Sequence, residues 1–400
     1  MKEVTRIDSL HNIMIFEPPV SSLTAIMYYD FIKMERNLLL MELSRSQQLA
    51  QEHVTNYARS RKNEAEQTIR EILRMSNIEL KTFEDAITKL KSHASIALHF
   101  HPDRLDPNMK SVAEALLEQG FYKSQFETFL SNGSVSAFPG GERDVWENKM
   151  FGGAYQINGS TNSERPKYGA LNVMLHPDGP APRFGSCYFL LSTEVSQRCT
   201  YTYLDSHQDP EEKGTYEEFD LVLAALMRDV IYSDFAIGER NLTVQKLIDH
   251  MLINLEKPFR NPSNQEPNRN LDHYIEAQVH GDISLEKDVK ILVADPSFKG
   301  THTGRILEQI CLKYSIDLHW HMGFTLLVDE VPMDFRGPSM PSIAKRIAKS
   351  DFIDANKIGS AAMELKRNPS NWSDRGTYTE VLQELKLLWH VLVRYGKPME

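Results

Sequence analysis

The chain has 400 residues, 41% hydrophobic and 25% charged, enough to bury a sizeable core in two or three domains or in one large domain with helical additions. Its formal net charge of −10 gives no support to general nucleic-acid binding and disfavours anionic membrane surfaces. Three cysteines without metal-ligand spacing, no apolar run like a signal peptide's near the start, and no window approaching the ~18 apolar residues of a membrane span point to the cytosol, or to export as an effector by machinery that reads no cleaved signal.

Residues 21–93 are predicted to be helical: Val54, Ala58, Ala65, Ile69, Ile72 and Leu73 recur at three- to four-residue steps, and Thr82 with Asp85 makes a capping-box pattern. Ser95 to His101 is an apolar run stopped by Pro102, as expected of a buried strand. Nine of the twenty glycines then fall from Gly133 to Gly185, a density that implies tight turns around a ligand. Strands are predicted at 168–175, 186–191, 199–204, 274–279, 290–294, 318–321 and 325–331. Helices are predicted at 219–231, 244–255, 305–314, 343–349, 355–365 and 378–393, and a loop at 258–270. The middle is therefore α+β, bracketed by helices.

Three stretches carry chemistry. In His99-Phe100-His101-Pro102-Asp103-Arg104, alternation puts both histidines on one strand face. Such a pair resembles the first metal ligands of amidohydrolase-type enzymes. His-Pro-Asp resembles the J-domain tripeptide, which belongs in a loop between helices rather than at a strand end. A side chain here could also hold a cofactor's ribose or phosphate, or both histidines could be ordinary strand-end residues. The glycine-rich stretch contains neither a Walker loop nor a dinucleotide fingerprint, although Arg183 and Ser186 could hold an anionic or ribosyl group beside a strand. In Tyr274-Ile275-Glu276-Ala277-Gln278-Val279, a glutamate inside an apolar strand has to be solvated, paired or functional. Tyr274, Glu276 and Gln278 share one face, which faces either water or a cleft. No serine-nucleophile elbow occurs, and Cys187 reads as a small buried hydrophobe.

The runs HFHPDR, PGG-x-RD-x-WE, MFGGAY, ERPKYGALN, DGPAPRFGSCYF and YIEAQVHGDISL, with DPSF and WHMGF beyond, are similar to a bacterial and fungal family of unknown function over roughly His99 to Gly337. That family in turn resembles divergent mono-ADP-ribosyltransferases, effectors among them. The resemblance implies a split-sheet core at 94–337, with an N-terminal helical region at 1–93 and a C-terminal helical segment at 338–400. It implies NAD as substrate and a protein acceptor, with neither nucleic acid nor membrane as partner and no metal. Its three signature positions carry over to His101 or Arg104 (His99 less readily), to Ser186 or Tyr168, and to Glu276 as catalytic residue. Tyr155 and Tyr168 would stack on nicotinamide, while Arg183, Tyr274 and Gln278 would complete the NAD site. Arginine-modifying members show Glu-x-Glu where this chain has Tyr274-x-Glu276, which leaves the acceptor open.

The implied chemistry is coherent. Nicotinamide leaves already neutralised, through a transition state like the oxocarbenium ion of glycoside cleavage, and a carboxylate on the ribose 2′-hydroxyl stabilises it. The competing expectations are a metal-dependent hydrolase built on His99 and His101, and a non-catalytic binding module using His-Pro-Asp.

Overall fold

A computed structural model describes residues 43–130, 136–259 and 271–399, which belong to one compact unit. The helix expected for 21–42, most of the loop at 258–270 and the start of the glycine-rich stretch at Gly133 lie outside the described residues.

Helices α1 (Arg45–Ser60), α2 (Lys62–Met75) and α3 (Leu80–His93) open the unit. A capping box of Ser44 and Gln47 starts α1. The start of α3 lies at Leu80, so Thr82 and Asp85 fall inside the helix and Asp85 pairs with Lys81 instead of capping. Strand β1 is Ile96–Phe100. Helices α4 (Val112–Gln119), α5 (Gln125–Thr128) and α6 (Glu142–Met150) follow, in a region where glycines mask helical patterning. Then come β2 (Lys167–Leu171), β3 (Cys187–Leu191), β4 (Cys199–Tyr203), β5 (Lys213–Thr215), α7 (Asp220–Tyr232), the small hairpin β6 (Phe235–Ala236) and β7 (Glu239–Arg240), and α8 (Val244–Asn254). The remainder is β8 (Ile275–Val279), α9 (Leu285–Asp288), β9 (Val289–Ala294), α10 (His302–Tyr314), β10 (Asp317–Trp320), β11 (Thr325–Leu327), α11 (Met340–Ala348), β12 (Phe352–Asp354), α12 (Ala355–Arg367) and α13 (Tyr378–Tyr395).

Eight strands form one mixed sheet in the order β10-β9-β3-β1-β2-β8-β4-β5. Only the β9–β10 pair in it is parallel. The fold is thus α+β with helices around a large sheet. One face of that sheet is the main core: Ile96, Leu98 and Phe100 of β1, Phe189 of β3 and Ile275, Ala277 and Val279 of β8 pack in it. Ile69 and Leu73 of α2, Leu226 of α7 and Leu388 of α13 belong to the same apolar cluster, so the flanking helices and the sheet share one interior. Among the described residues, no helix is long and apolar enough to cross a membrane.

Two details of the sheet position the site. Strands β1 and β2 pair only at Ile96–Leu171 and Ala97–Ala170, whereas β1 stays paired to β3 through Phe100 and β2 to β8 through Lys167. The sheet therefore parts between β1 and β2 at the end that carries His99 and Tyr168. The approach of β3 to β1 is set by Gly185: a Cβ there would lie 2.4 Å from backbone atoms of Phe100. Backbone cannot yield as a flexible side chain can. Gly185→Ala is expected to destabilise the protein by ~1–3 kcal/mol, seen as a lower urea midpoint at an unchanged slope.

Candidate active site

Alternation divides each strand between the apolar core and the opposite face. That opposite face is polar where β1, β2, β8 and β4 adjoin. Tyr168 lies across from Gln278 and Ala170 from Glu276, while Thr200 and Thr202 of β4 lie across from Gln278 and Glu276. A cavity of about 160 Å³ opens where β1 and β2 part, lined by His99, Tyr168 and Glu276 from three adjacent strands. Arg143, Trp146, Arg183, Asp205 and His207 close it from surrounding segments.

Glu276 is only 5% exposed, so its oxygens depend on protein partners. Gln278 Nε2 donates to Glu276 Oε1 at 2.9 Å. The amide is oriented from behind: Thr200 Oγ1 donates to Gln278 Oε1 at 2.8 Å, and His280 Nε2 lies 3.1 Å from Thr200 Oγ1. Since that hydroxyl spends its proton on Gln278, His280 donates from Nε2 and accepts Tyr155 Oη at Nδ1, at 2.5 Å. A one-way chain therefore runs Tyr155, His280, Thr200, Gln278, Glu276. Burial holds His280 neutral, with its pKa lowered to about 3. Burial first, and the neighbouring Asp205 second, push the Glu276 carboxyl up to about 7, against hydrogen bonding from Ser206 and Gln278 and attraction by Arg143.

The wall opposite the sheet is α6, whose buried residues are Arg143, Asp144, Glu147 and Met150. Arg165 donates to Glu147 Oε2 at 2.9 Å and to Asp144, and Tyr168 Oη donates to Glu147 Oε1 at 2.7 Å. Burial raises the Glu147 carboxyl even so, with Arg143 and Arg165 pulling it back. The Arg143 guanidinium lies 4.3 Å from the Trp146 ring centre and 4.6 Å from that of Tyr168.

Some expected site residues meet here and others do not. Glu276, Tyr168 and Arg183 line the cavity, with Arg183 paired to Asp205 at 3.3 Å and to Asp272. Gln278 stands behind Glu276 as its donor. Tyr274 is fully buried and packs edge-on to Phe184 at 5.6 Å, supporting the wall. On β1 the cavity residue is His99, not His101. Its Nδ1 donates to Gly185 O and its Nε2 accepts from Ala181 N, each at 3.3 Å, so it shapes the wall with both ring nitrogens occupied. His101 and Arg104 lie past the strand end and line a separate cavity of about 360 Å³, which shares Tyr122, Gln125 and Tyr168 with the first.

Tyr155 departs from the stacking role: it is buried at the far end of the relay from Glu276. Ser186 departs too, being buried with its carbonyl accepting from His321 Nε2 at 3.2 Å. The His-Pro-Asp tripeptide is packed inward, with His101 edge-on to Trp389 at 5.2 Å and Asp103 against Gly359, which closes it to a protein partner. Among the described residues, no three histidine, cysteine or acidic side chains converge to hold a metal ion. Cys187 is fully buried and free. Reasoning from sequence missed Arg143, Trp146, Glu147, Asp205 and His207. The signal that could have found the first three is Arg-Asp-x-Trp-Glu one residue after paired glycines, a helix start with charges one turn apart.

Residues 95–395 match the family described as "Protein of unknown function (DUF3626)". The chain belongs to that family. The DUF3626 match takes in the whole eight-stranded sheet, the cavity and the C-terminal helices. A search of curated proteins finds no match.

The Glu276 carboxyl yields a stability test. Folded, it keeps its proton up to about 7; the unfolded chain loses it near 4.5. Between those values the folded state binds the extra proton, so stability falls as pH rises and the penalty is complete above 7. Glu276→Gln removes the penalty. Its stability relative to the parent is expected to grow by up to ~3 kcal/mol from about pH 4.5 to pH 8, measured by urea unfolding at each end; an unchanged difference refutes the assignment.

Proposed function

We propose that this DUF3626 protein is an NAD-dependent mono-ADP-ribosyltransferase that transfers ADP-ribose to a protein and releases nicotinamide. The observation that carries the reading is Glu276, buried on the sheet's polar face and sharing one cavity, where the sheet parts, with Tyr168 and His99 of the two neighbouring strands. These are a His, a Tyr and a Glu on three strands in the order that the superfamily resemblance implies. The α+β core with its parting sheet is read as the split-sheet transferase fold.

The cavities fit a dinucleotide in size. Alone, the one at Glu276 is below the ~300–1,000 Å³ of a typical ligand pocket. The adjoining cavity of about 360 Å³ brings the pair into that range, with Tyr122, Gln125 and Tyr168 as shared wall. The groups around Glu276 suit ribose: a carboxylate at the cavity wall, fixed by Gln278, that can accept a hydroxyl. Tyr168 supplies an aromatic wall, its hydroxyl anchored on Glu147. His99 is locked to the backbone and fixes the width of the opening.

In the reaction the ribose C1′–nicotinamide bond breaks, its electron pair leaving with neutral nicotinamide, and a bond forms from C1′ to the acceptor's nucleophilic atom. The acceptor's proton passes to Asp205 or to water. Glu276, ionised, accepts from the ribose 2′-hydroxyl and stabilises the positive charge that develops on the ring. Only the ionised carboxylate serves, so the rate should climb through about pH 7 to a plateau.

Labelled NAD and a cell lysate provide the test. Labelled protein and free nicotinamide are expected with the parent, and a loss of at least ~100-fold in both with Glu276→Gln. Folded parent protein that neither transfers label nor hydrolyses NAD, or a Glu276→Gln variant of undiminished activity, ends the proposal.

A further inference from the structure

We propose that Arg143 is a phosphoryl-binding residue, holding a phosphate of a nucleotide whose ribose lies at Glu276. Arg143 is 5% exposed and lines the cavity. Its Nε and Nη1 have no hydrogen-bond partner among the described residues. Leaving the hydrogen bonds of a buried group unmade is costly, the more so for a charged one. Glu147 and Glu276 balance the charge of Arg143, so what the fold leaves open is the hydrogen-bonding capacity of Nε and Nη1, which a ligand in the cavity can fill.

The neighbouring cations already hold carboxylates, although Arg183 keeps an unpartnered Nε. Arg165 is committed to Glu147 and Asp144, and Arg183 to Asp205 and Asp272. The Trp146 and Tyr168 rings pack against the guanidinium from two adjacent directions, with their own centres 6.3 Å apart, and leave Nε and Nη1 without a partner among the described residues. A guanidinium steadied by two rings, with donors unspent, suits phosphate oxygens, which accept charge-assisted hydrogen bonds. His99, the β1 residue that reaches the cavity, has both ring nitrogens engaged by backbone, and the expected His101 and Arg104 line the adjoining cavity, so this duty falls to a helix outside the sheet. The inference rests on the nucleotide reading of the cavity but not on bond cleavage, because the phosphate binds whether or not nicotinamide leaves.

The experiment is binding by calorimetry and thermal shift, with ADP, adenosine and inorganic pyrophosphate as probes on the full chain. ADP is expected to bind the parent more tightly than adenosine. Arg143→Met should remove that preference, weakening ADP by ~10–100-fold, while leaving adenosine and the melting temperature without ligand unchanged or raised. Pyrophosphate binding that Arg143→Met abolishes and that equals ADP's supports the subsite and assigns it to the free anion. Retention of the ADP preference in Arg143→Met overturns the proposal, as does a variant whose melting temperature drops while ADP binds as before, since Arg143 is then a packing residue. If Arg143→Met does not fold, Arg143→Lys keeps the charge without the planar edge and should weaken ADP several-fold but not adenosine. The two proposals fail separately: ADP binding through Arg143 without NAD cleavage leaves the subsite standing, and NAD cleavage with an unaltered KM in Arg143→Met leaves only the transferase.

Discussion

The hydrogen bond from Gln278 to Glu276 decides the character of this site. It ends a chain of donors that begins at Tyr155 and passes through His280 and Thr200, each group oriented by the one behind it. The chain satisfies buried polar atoms that would otherwise each be costly, and it leaves Glu276 with an acceptor directed at the cavity. It also keeps the carboxyl rigid without an ion pair of its own, so that burial and Asp205 hold its pKa near neutrality. A group poised there can change charge in response to a ligand or to modest changes of pH.

A second constraint surrounds that carboxyl. Helix α6 turns Arg143, Asp144 and Glu147 inward, where most helices present apolar residues. Arg165 neutralises the two acids, Tyr168 adds a hydrogen bond to Glu147, and Arg143 is enclosed by rings. Tyr168 thereby joins the two halves of the site, with its backbone in β2, its hydroxyl on α6 and its ring at the cavity. Just past the same end of β1, Asp103 sits so close to α12 that any side chain at Gly359 would collide with it, which pins the C-terminal helices to the strand bearing His99. Sheet, α6 and C-terminal helices therefore meet around one opening.

Most strands from Ile96 to Leu327 and the later helices were legible because apolar period and breakers agreed locally, as at Ser95 to Pro102 and Asp220–Tyr232, whereas β5, β6 and β7 are too short to show a period and the strand expected at 325–331 ends at Leu327. Helix α6 was not, since its buried face is charged and carries no hydrophobic period. Within the candidate site the sequence singled out Glu276 and Tyr168, odd polar residues in strands. It misplaced Tyr155 and Ser186, whose partners, His280 and His321, lie more than a hundred residues away along the chain.

Alternation along each strand determined, from sequence alone, that Glu276, Gln278 and Tyr274 share a face, and the order of predicted strands and helices determined an α+β interior. Which histidine reaches the cavity was a tertiary matter, because His99 and His101 lie on the same side of β1 and only the parting from β2 and the turn at Pro102 separate them. The same holds for Arg143. Nothing in its neighbourhood along the chain announces a buried, unpaired guanidinium, since burial and pairing are set by strands that the chain reaches later.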